Sequence, residues 1–252
     1  MQHWQKLQAA IIFYTCLPLR SQGILDFRGI ALYAPLIGIF IGGAIASFDF
    51  FLELLKPAPE LIYLRSLLTI LLGVLITGGL HLDGAMDTAD GLAVTDPDRR
   101  LEVMADSHTG AFGAIAGIAI LLLKVIALAA IHDHRFWILA SVWAWARWGQ
   151  LRAIMAYPYL KAIGKGKFHQ EDLHNWQVWL VAALLMAGNL AIAYIYKSLY
   201  LGIGLTAIAC GFSWLIGAWF NRQFGGQTGD TYGAIVEWTE AMCLGAIAFY
   251  LR

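Results

Sequence analysis

The sequence has few charged residues for its length. Of its 252 residues, only 13% are Asp, Glu, Lys or Arg, whereas 60% are apolar. A soluble domain has about 45–50% apolar and about 25% charged residues, so a single aqueous core could not bury this much apolar surface. The mean hydropathy of +0.65 agrees. The composition therefore excludes a soluble, disordered or collagen-like chain and predicts a protein whose solvent is lipid.

Three further absences narrow the class. Cys16, Cys210 and Cys243 are far apart and form no CxxC pair, which excludes a disulfide framework and a zinc site and predicts buried, unpaired thiols. The 17 basic residues are matched by 17 acidic ones, so we expect no nucleic-acid partner. The N-terminal stretch lacks the basic start and small-residue cleavage site of a signal peptide, and we expect it to be retained.

Long apolar runs occupy most of the chain. About 20 mostly apolar residues cross a bilayer as a helix, and runs without strand-like alternation predict helices rather than a barrel. Residues 4–19 are shorter and end at Pro18, so we expect them to lie on the membrane. The prediction is an all-α, polytopic integral membrane protein with six or seven transmembrane helices in one domain, residues 1–252. The seven runs are 29–55, 66–80, 110–131, 136–157, 177–196, 198–220 and 233–251.

The basic residues outside these runs predict an orientation. With seven spans, nine fall on one side and five on the other. Cytoplasmic loops carry the excess of Lys and Arg, so the richer side is expected to face the cytoplasm from a cell inner membrane. Loops 81–109, 158–176 and 221–232 would then share the cytoplasmic face.

The acidic residues are concentrated in one segment. Seven of the seventeen lie between Asp83 and Asp106, and Asp83, Asp87 and Asp90 stand at i, i+4 and i+7. At about 100° per residue these three share one face of a helix. The segment follows the apolar run ending at Leu80, so a continuing helix would place the carboxylates at the membrane boundary. Glu102 and Asp106 repeat the i, i+4 spacing.

Stacked carboxylates near a bilayer require compensation, because like charges at i, i+4 repel and charges in lipid are costly. Hard oxygen donors favour Mg²⁺, Mn²⁺ or Ca²⁺. A solvated acidic loop with chance helical spacing is the alternative. The Gly and apolar residues between the carboxylates argue against it.

Two Gly-rich segments are predicted on the same face. Residues 107–113, SHTGAFG, combine hydroxyls, glycines and a helix start, which suits an anion or simply a tight turn. Residues 225–240, GGQTGDTYGAIVEWTE, contain Asp230, which could be only a helix cap. Glu237 and Glu240 enter the last apolar run, and acids within a membrane span are functional candidates.

Clustered carboxylates, anion-binding turns and basic residues at one membrane face indicate transfer of a phosphate-linked group. Such a reaction needs cations to neutralise phosphate oxygens and a base near the incoming hydroxyl. Arg99 and Arg100 could bind phosphate or merely balance nearby acids.

The motifs HLDGAMDTADGL, RRLEVMADSHTGAFGAIA and GGQTGDTYGAIVEWTE, with the N-terminal FYTCLPL, resemble the cobalamin synthase family, the adenosylcobinamide-GDP ribazoletransferases. The resemblance covers nearly the whole chain, with His108 where Arg is often expected. It implies a Mg²⁺-dependent membrane enzyme of the last assembly step of vitamin B12. The substrates would be adenosylcobinamide-GDP and α-ribazole or its 5′-phosphate, and the products GMP and adenosylcobalamin or its phosphate. Whether the protein forms a homo-oligomer stays open.

On this basis we assign roles to individual residues as hypotheses. The catalytic residues would be Asp83, Asp87 and Asp106. The metal ligands would come from Asp83, Asp87, Asp90, Glu102, Asp106, Glu237 and Glu240. The substrate phosphates would contact Arg100, Ser107, His108, Gly110, Gly226, Thr228, Gly229 and Asp230.

Two other functions remain as alternatives. A CDP-alcohol phosphotransferase also clusters Asp residues at a membrane face, but it usually has an Ala-Arg pair after Asp-Gly, whereas Asp83-Gly84 leads here to Met86-Asp87. An ion-coupled transporter could use the same acids as a cation path, although the inverted repeats common in transporters are not evident.

Overall fold

The computed structural model describes residues 2–19, 25–161 and 173–251, with side chains from Trp4. These residues form α-helices joined by short turns, and no strand longer than a single bridge occurs among them. The helices are α1 (Gln2–Tyr14), α2 (Ala34–Leu55), α3 (Ile62–Thr77), α4 (Leu80–Ala93), α5 (Arg100–Val103), α6 (Ala111–Ala130), α7 (Arg135–Ala156), α8 (Asn175–Ile195), α9 (Leu199–Phe224) and α10 (Gly229–Tyr250). The predicted all-α class is confirmed.

Five segments are long and apolar enough to cross a membrane: Ile30–Leu55, Pro59–Thr77, Ala111–Ala130, Asn175–Ile195 and Leu199–Phe224. They correspond to α2, α3, α6, α8 and α9, and they confirm a polytopic membrane protein. Helices α7 and α10, also predicted as spans, have 22 residues each and are about 33 Å long at 1.5 Å per residue. Helices α7 and α10 are not among the five apolar segments because their charged residues lower the hydropathy.

Helices α7 and α10 are the most buried elements of the bundle, which explains how they tolerate charge. Nearly every side chain of α7 from Trp137 to Ile154 is buried, whereas α8 exposes most of its apolar surface. Polar residues inside a membrane protein face other helices rather than lipid. Helices α7 and α10 therefore form a centre that α2, α6, α8 and α9 screen.

Helix α2 packs against α7 through two glycines that the sequence spaces four apart. A Cβ atom at Gly38 would lie 2.8 Å from Cα of Ala144, and one at Gly42 would lie 2.7 Å from Cα of Ala140. Either side chain would push the helices apart, so the backbones can approach only because both residues are Gly.

The loops predicted to share a face are in contact. The Arg100 guanidinium donates to the Gln223 carbonyl, Lys161 pairs with Asp230, and the backbones of Leu160 and Gln227 are hydrogen-bonded. We call this end of the bundle, residues 80–110, 157–161 and 221–230, the acidic face. Residues 162–172 of the second loop lie outside the described residues. Helix α1, with 13 residues, is too short to cross a bilayer, and it reaches this face at Tyr14.

The other end of the bundle contains an ion network that the sequence analysis missed. The Asp49 carboxylate accepts hydrogen bonds from Arg65 at 3.0 and 2.8 Å, from Arg135 at 2.9 and 2.6 Å, and from Thr69 at 3.1 Å. Arg65 also pairs with Glu53. These partners come from α2, α3 and α7, so the network joins three helices at the face opposite the acidic one.

The three cysteines are free, as predicted. Their predicted burial holds for Cys243 only, because Cys210 is half-buried and Cys16 is exposed. Cys16 lies just beyond the end of α1, where its backbone N–H donates to the Ile76 carbonyl at the end of α3.

Candidate active site

The acidic helix α4 is a separate element and not a continuation of the preceding span. Gly78 and Gly79 both have positive φ, 62° and 71°, and end α3 before α4 begins at Leu80. Left-handed backbone at two successive positions is tolerated because both residues are Gly. The prediction of one continuous helix is therefore wrong, and the break is what turns α4 across the acidic face toward α10.

Helices α4 and α10 touch through their backbones. A Cβ atom at Gly84 would lie 2.8 Å from the Asp230 carbonyl oxygen, and one at Gly233 would lie 2.9 Å from the carbonyl oxygen of His81. This close packing brings Asp83 of α4 and Asp230 of α10, 147 positions apart in sequence, to the lining of one cavity.

Asp83 and Asp87 are uncompensated acids of α4 on this face. Asp83 is exposed and Asp87 half-buried. Neither side chain forms a hydrogen bond or ion pair with another residue in the described part of the chain. Burial and the negative charges of Asp83, Asp230 and Asp90 raise the pKa of Asp87 to about 6, although Lys161 opposes the shift. Like charges are crowded here, and the nearby cation Lys161 is paired with Asp230 rather than with Asp83 or Asp87.

Asp90, predicted as a third metal ligand, caps a helix instead. Its Oδ2 accepts from the Gly110 N–H at 2.7 Å and its Oδ1 from the Gly113 N–H at 2.8 Å, at the start of α6. A carboxylate suits the positive end of a helix dipole. The anion predicted at the turn that contains Gly110 is therefore the protein's own Asp90, and a Cβ atom at Gly110 would collide with that carboxylate.

The rest of the acidic loop faces outward. The side chain of Glu102 is 75% exposed and lies 3.8 Å from Arg99, while that of Asp106 is 58% exposed. Asp106 accepts hydrogen bonds from the backbone N–H of His108 at 3.0 Å and pairs with its ring at 2.7 Å, which lowers the pKa of Asp106. Ser107 is also exposed. The structure thus does not bring Glu102, Asp106, Ser107 or His108 to Asp83.

The predicted phosphate contacts divide into structural and cavity-lining residues. The Arg100 guanidinium donates hydrogen bonds to the backbone carbonyls of Val94 at 3.2 Å and Gln223 at 2.8 Å. Gly226 is buried where a Cβ atom would lie 2.6 Å from the Pro158 carbonyl oxygen. Thr228 caps α10 by accepting from the Thr231 N–H at 3.2 Å. Only Gly229 and Asp230 of this group line the cavity.

Glu237 and Glu240 lie in the interior of the bundle and not at the acidic face. Glu237 accepts from Lys124 Nζ at 2.7 Å; Glu240 accepts from Lys124 Nζ at 2.6 Å and from Arg147 at 2.8 Å. All four side chains are almost fully buried. We call them the buried charge cluster. With two cations and two anions the cluster is neutral, so its acids need no metal, and the prediction of Glu237 and Glu240 as metal ligands is not supported.

No group of three or more His, Cys, Asp or Glu side chains is placed to hold a metal ion together within residues 2–19, 25–161 and 173–251. The seven metal ligands predicted from the sequence therefore do not converge on one site within the described residues. Mg²⁺, however, usually binds through one or two carboxylates, with water and substrate phosphates completing its shell. Asp83 and Asp87, unpaired carboxylates one helical turn apart, fit that mode of binding.

The cavity itself has a volume of about 600 Å³ and lies between α1, α4, α7 and α10. Asp83, Asp230 and Lys161 line its open side, where Lys161 Nζ lies 2.9 Å from Asp230. Neither Lys161 nor the buried residues of the lining were among the site residues predicted from the sequence. Those residues include Tyr14, Gln150 and Tyr232, which are scattered over three helices and follow no short motif.

Fold and site together define a polytopic α-helical membrane protein with an acid-lined cavity at one end of the bundle. The chain belongs to the cobalamin-5-phosphate synthase family, whose model matches residues 6–248. The sequence motifs that indicated this family lie on α4, on the turn into α6 and on α10.

Curated relatives match over almost the full length. A Synechococcus relative is 50% identical over 241 residues, covering 96% of this chain and 95% of its own. One from Trichormus variabilis is 48% identical, covering 94% of both chains, and one from Desulfitobacterium hafniense is 35% identical, covering 97% and 96%. All three are named adenosylcobinamide-GDP ribazoletransferase. No solved structure matches the chain.

Proposed function

We propose that this protein is an adenosylcobinamide-GDP ribazoletransferase of the bacterial inner membrane, with its acidic face toward the cytoplasm. It would transfer the adenosylcobinamide phosphate group to α-ribazole or its 5′-phosphate, with release of GMP. The observation that carries the proposal is the pair of uncompensated carboxylates, Asp83 and Asp87, beside an acid-lined cavity in a chain of this family. The excess of basic residues on this side supports the orientation.

The reaction exchanges one phosphate ester bond for another. A ribose hydroxyl of α-ribazole other than the 5′-hydroxyl, which is esterified in the 5′-phosphate, attacks the phosphorus that bears the cobinamide, and a new O–P bond forms. The bond from that phosphorus to the bridging oxygen of GMP breaks, and GMP leaves with the bonding electrons. The hydroxyl proton passes to Asp230, the carboxylate of the cavity lining that is paired with Lys161 and not assigned to a metal.

The residues of the acidic face supply positioning and charge for this exchange. Asp83 and Asp87 would hold Mg²⁺, which when bound neutralises the diphosphate oxygens. Lys161, on the same lining, adds a positive charge toward the phosphate. The cavity excludes most water from the attacking hydroxyl, so the ribazole is favoured over water as the acceptor.

The test uses the full chain purified in detergent with adenosylcobinamide-GDP, α-ribazole and MgCl₂. We expect a corrinoid product of the mass of adenosylcobalamin with one GMP per product, loss of turnover with EDTA and recovery with excess Mg²⁺. The Asp83→Asn and Asp87→Asn variants should each lose about 100-fold or more in kcat. Asp133→Asn, an exposed acid of the opposite face, is the matched control and should keep wild-type turnover.

The proposal fails if the Asp83→Asn and Asp87→Asn variants both release GMP at the normal Mg²⁺-dependent rate. Incubation with CDP-diacylglycerol and an alcohol tests the phosphotransferase alternative, which predicts CMP release. Uptake of an ion into proteoliposomes without nucleotide turnover would favour the transporter.

A further inference from the structure

The most buried part of the cavity lining, which we call the closed end, consists of Tyr14, His81, Gln150 and Tyr232, and each of these side chains contains a polar atom without a partner. Four of the nine buried side-chain polar atoms without a hydrogen-bond partner in the described chain belong to its lining: Tyr14 Oη, His81 Nδ1, Gln150 Oε1 and Tyr232 Oη. These residues are only 2–5% exposed. Buried polar groups are nearly always satisfied, so a cluster of unsatisfied ones at a cavity indicates a ligand that completes them.

Aromatic rings surround the same space. Phe13 and Tyr14 meet edge to face at 5.0 Å between centroids, Phe27 lies 6.3 Å from Phe13, and Tyr159 stacks on Tyr232 at 6.2 Å with 23° between planes. All five line the cavity. Flat apolar walls with a few polar atoms suit a planar aromatic ligand, since rings stack on rings whatever their detailed chemistry.

The closed end is electrically neutral, in contrast to the open side. Tyr14, Gln150 and Tyr232 are polar but uncharged, whereas Asp83, Asp230 and Lys161 line the open side. A phosphate or a corrinoid with ionised groups would find no counter-charge there, whereas a neutral heterocycle would find donors and acceptors.

Size also separates the two substrates. A cavity of about 600 Å³ lies within the range that holds molecules of nucleoside or drug size. A corrin ring with an adenosyl group and a nucleotide tail is far larger and has to remain at the open side. A nucleoside that enters base first would direct its ribose hydroxyls to Asp83 and Asp230.

From these observations, and resting on the proposed function, we propose that the closed end of this cavity is the α-ribazole site. The apolar aromatic base lies among Phe13, Tyr14 and Tyr232. The Tyr14 hydroxyl donates a hydrogen bond to its ring nitrogen, and Gln150 Oε1 accepts one from a ribose hydroxyl. The reacting ribose hydroxyl points to the acids at the open side. Tyr14 and Gln150 are thus binding residues for the acceptor nucleoside and not for the nucleotide donor.

The test separates the two substrates by their kinetic constants. Tyr14→Phe removes only the unpartnered hydroxyl, and Gln150→Met removes the amide at nearly constant volume. We expect each variant to raise the KM for α-ribazole about tenfold, with kcat and the KM for adenosylcobinamide-GDP changed less than about twofold. Tyr63→Phe, which alters an exposed tyrosine near the opposite face, is the matched control.

A binding measurement without the donor tests the α-ribazole site separately from the transfer reaction. The Kd of α-ribazole for the purified chain, measured by calorimetry without the donor, should rise in parallel with KM. Because Tyr14→Phe deletes a hydroxyl that has no partner, its melting temperature without ligand should not fall, so weaker binding cannot be blamed on misfolding.

If the enzyme transfers ribazole but both variants leave its KM and Kd unchanged, the site assignment is wrong while the proposed function stands. If no transfer occurs but α-ribazole binds and Tyr14→Phe weakens that binding, the site assignment is supported and the proposed function is wrong. If α-ribazole neither binds nor reacts, both fail.

Discussion

Two groups of acids in this protein have opposite surroundings. In the buried charge cluster, Glu237 and Glu240 lie deep in the bundle, and each is hydrogen-bonded to Lys124 or Arg147 at 2.6–2.8 Å. On the acidic face, Asp83 and Asp87 lie near water, and within the described residues neither has a cation partner. The sequence presents both groups as closely spaced acids next to apolar segments.

The difference shows what compensates each group. A charge in the low-dielectric interior is tolerated only when a fixed counter-charge accompanies it, so the buried cluster supplies its own cations and holds α6, α7 and α10 together. A carboxylate at the boundary can remain unpaired because water solvates it. That leaves it free for a cation that arrives with a substrate. Acids of the first kind are held by the protein's own cations, and acids of the second kind are the ones that we propose for the chemistry, at some cost in stability.

The largest effect is expected from Glu240→Gln. The change leaves two buried cations facing one anion and removes the partner of Arg147, so we expect the free energy of unfolding to fall by about 3–5 kcal/mol. Denaturant titration in mixed micelles measures it. Glu60→Gln, the same change at an exposed position, should have almost no effect.

A double variant tests whether the buried charge cluster acts as a unit. Adding Arg147→Met to Glu240→Gln restores neutrality, with Lys124 and Glu237 still paired. The double variant should therefore lose less stability than the sum of the two single variants. Strictly additive losses would show that the cluster does not act as a unit.

An intermediate effect is expected at Asp90, which distinguishes a helix cap from a metal ligand. Asp90→Ala leaves the N–H groups of Gly110 and Gly113 without their acceptor and should cost about 1–2 kcal/mol of unfolding free energy. Asp90→Asn keeps one acceptor oxygen and should recover part of the loss. Unchanged stability combined with lost Mg²⁺ dependence would instead assign Asp90 to the metal, as the sequence alone predicted.

The smallest effect, with the opposite sign, is expected at Asp87. Asp87→Asn relieves the repulsion from Asp83 and Asp230, so the metal-free protein should become more stable by up to about 1 kcal/mol while transfer is lost. Melting temperatures in EDTA, compared with those of Asp133→Asn, measure the gain. A lower melting temperature would mean that Asp87 supports the fold and that the contrast between the two groups of acids is false.

The parts predicted from the sequence were those governed by local rules. Apolar run length identified the spanning helices, and the i, i+4 spacing correctly placed Asp83 and Asp87 on one helix, α4. The common face of the three loops followed from counting spans. The break at Gly78 and Gly79 was missed because two glycines in an apolar run are also compatible with a continuous membrane helix.

The partners of each charge could not be predicted in this way. Asp90 was assigned to a metal and Arg100 to a phosphate because both residue types suit those ligands, yet both bind backbone groups more than 19 positions away. No role was predicted for Lys124, although it pairs with two glutamates 113 and 116 positions later.

The sequence by itself determined that this chain is a helical membrane protein of a recognisable family, because hydropathy and motif order are properties of neighbouring residues. Only the tertiary structure decided which acids are compensated and where the cavity lies. Compensation depends on distances between α4, α6, α7 and α10, and those distances are set by packing between helices far apart in the chain. A carboxylate's role follows from what surrounds it in space, which its neighbours in sequence do not specify.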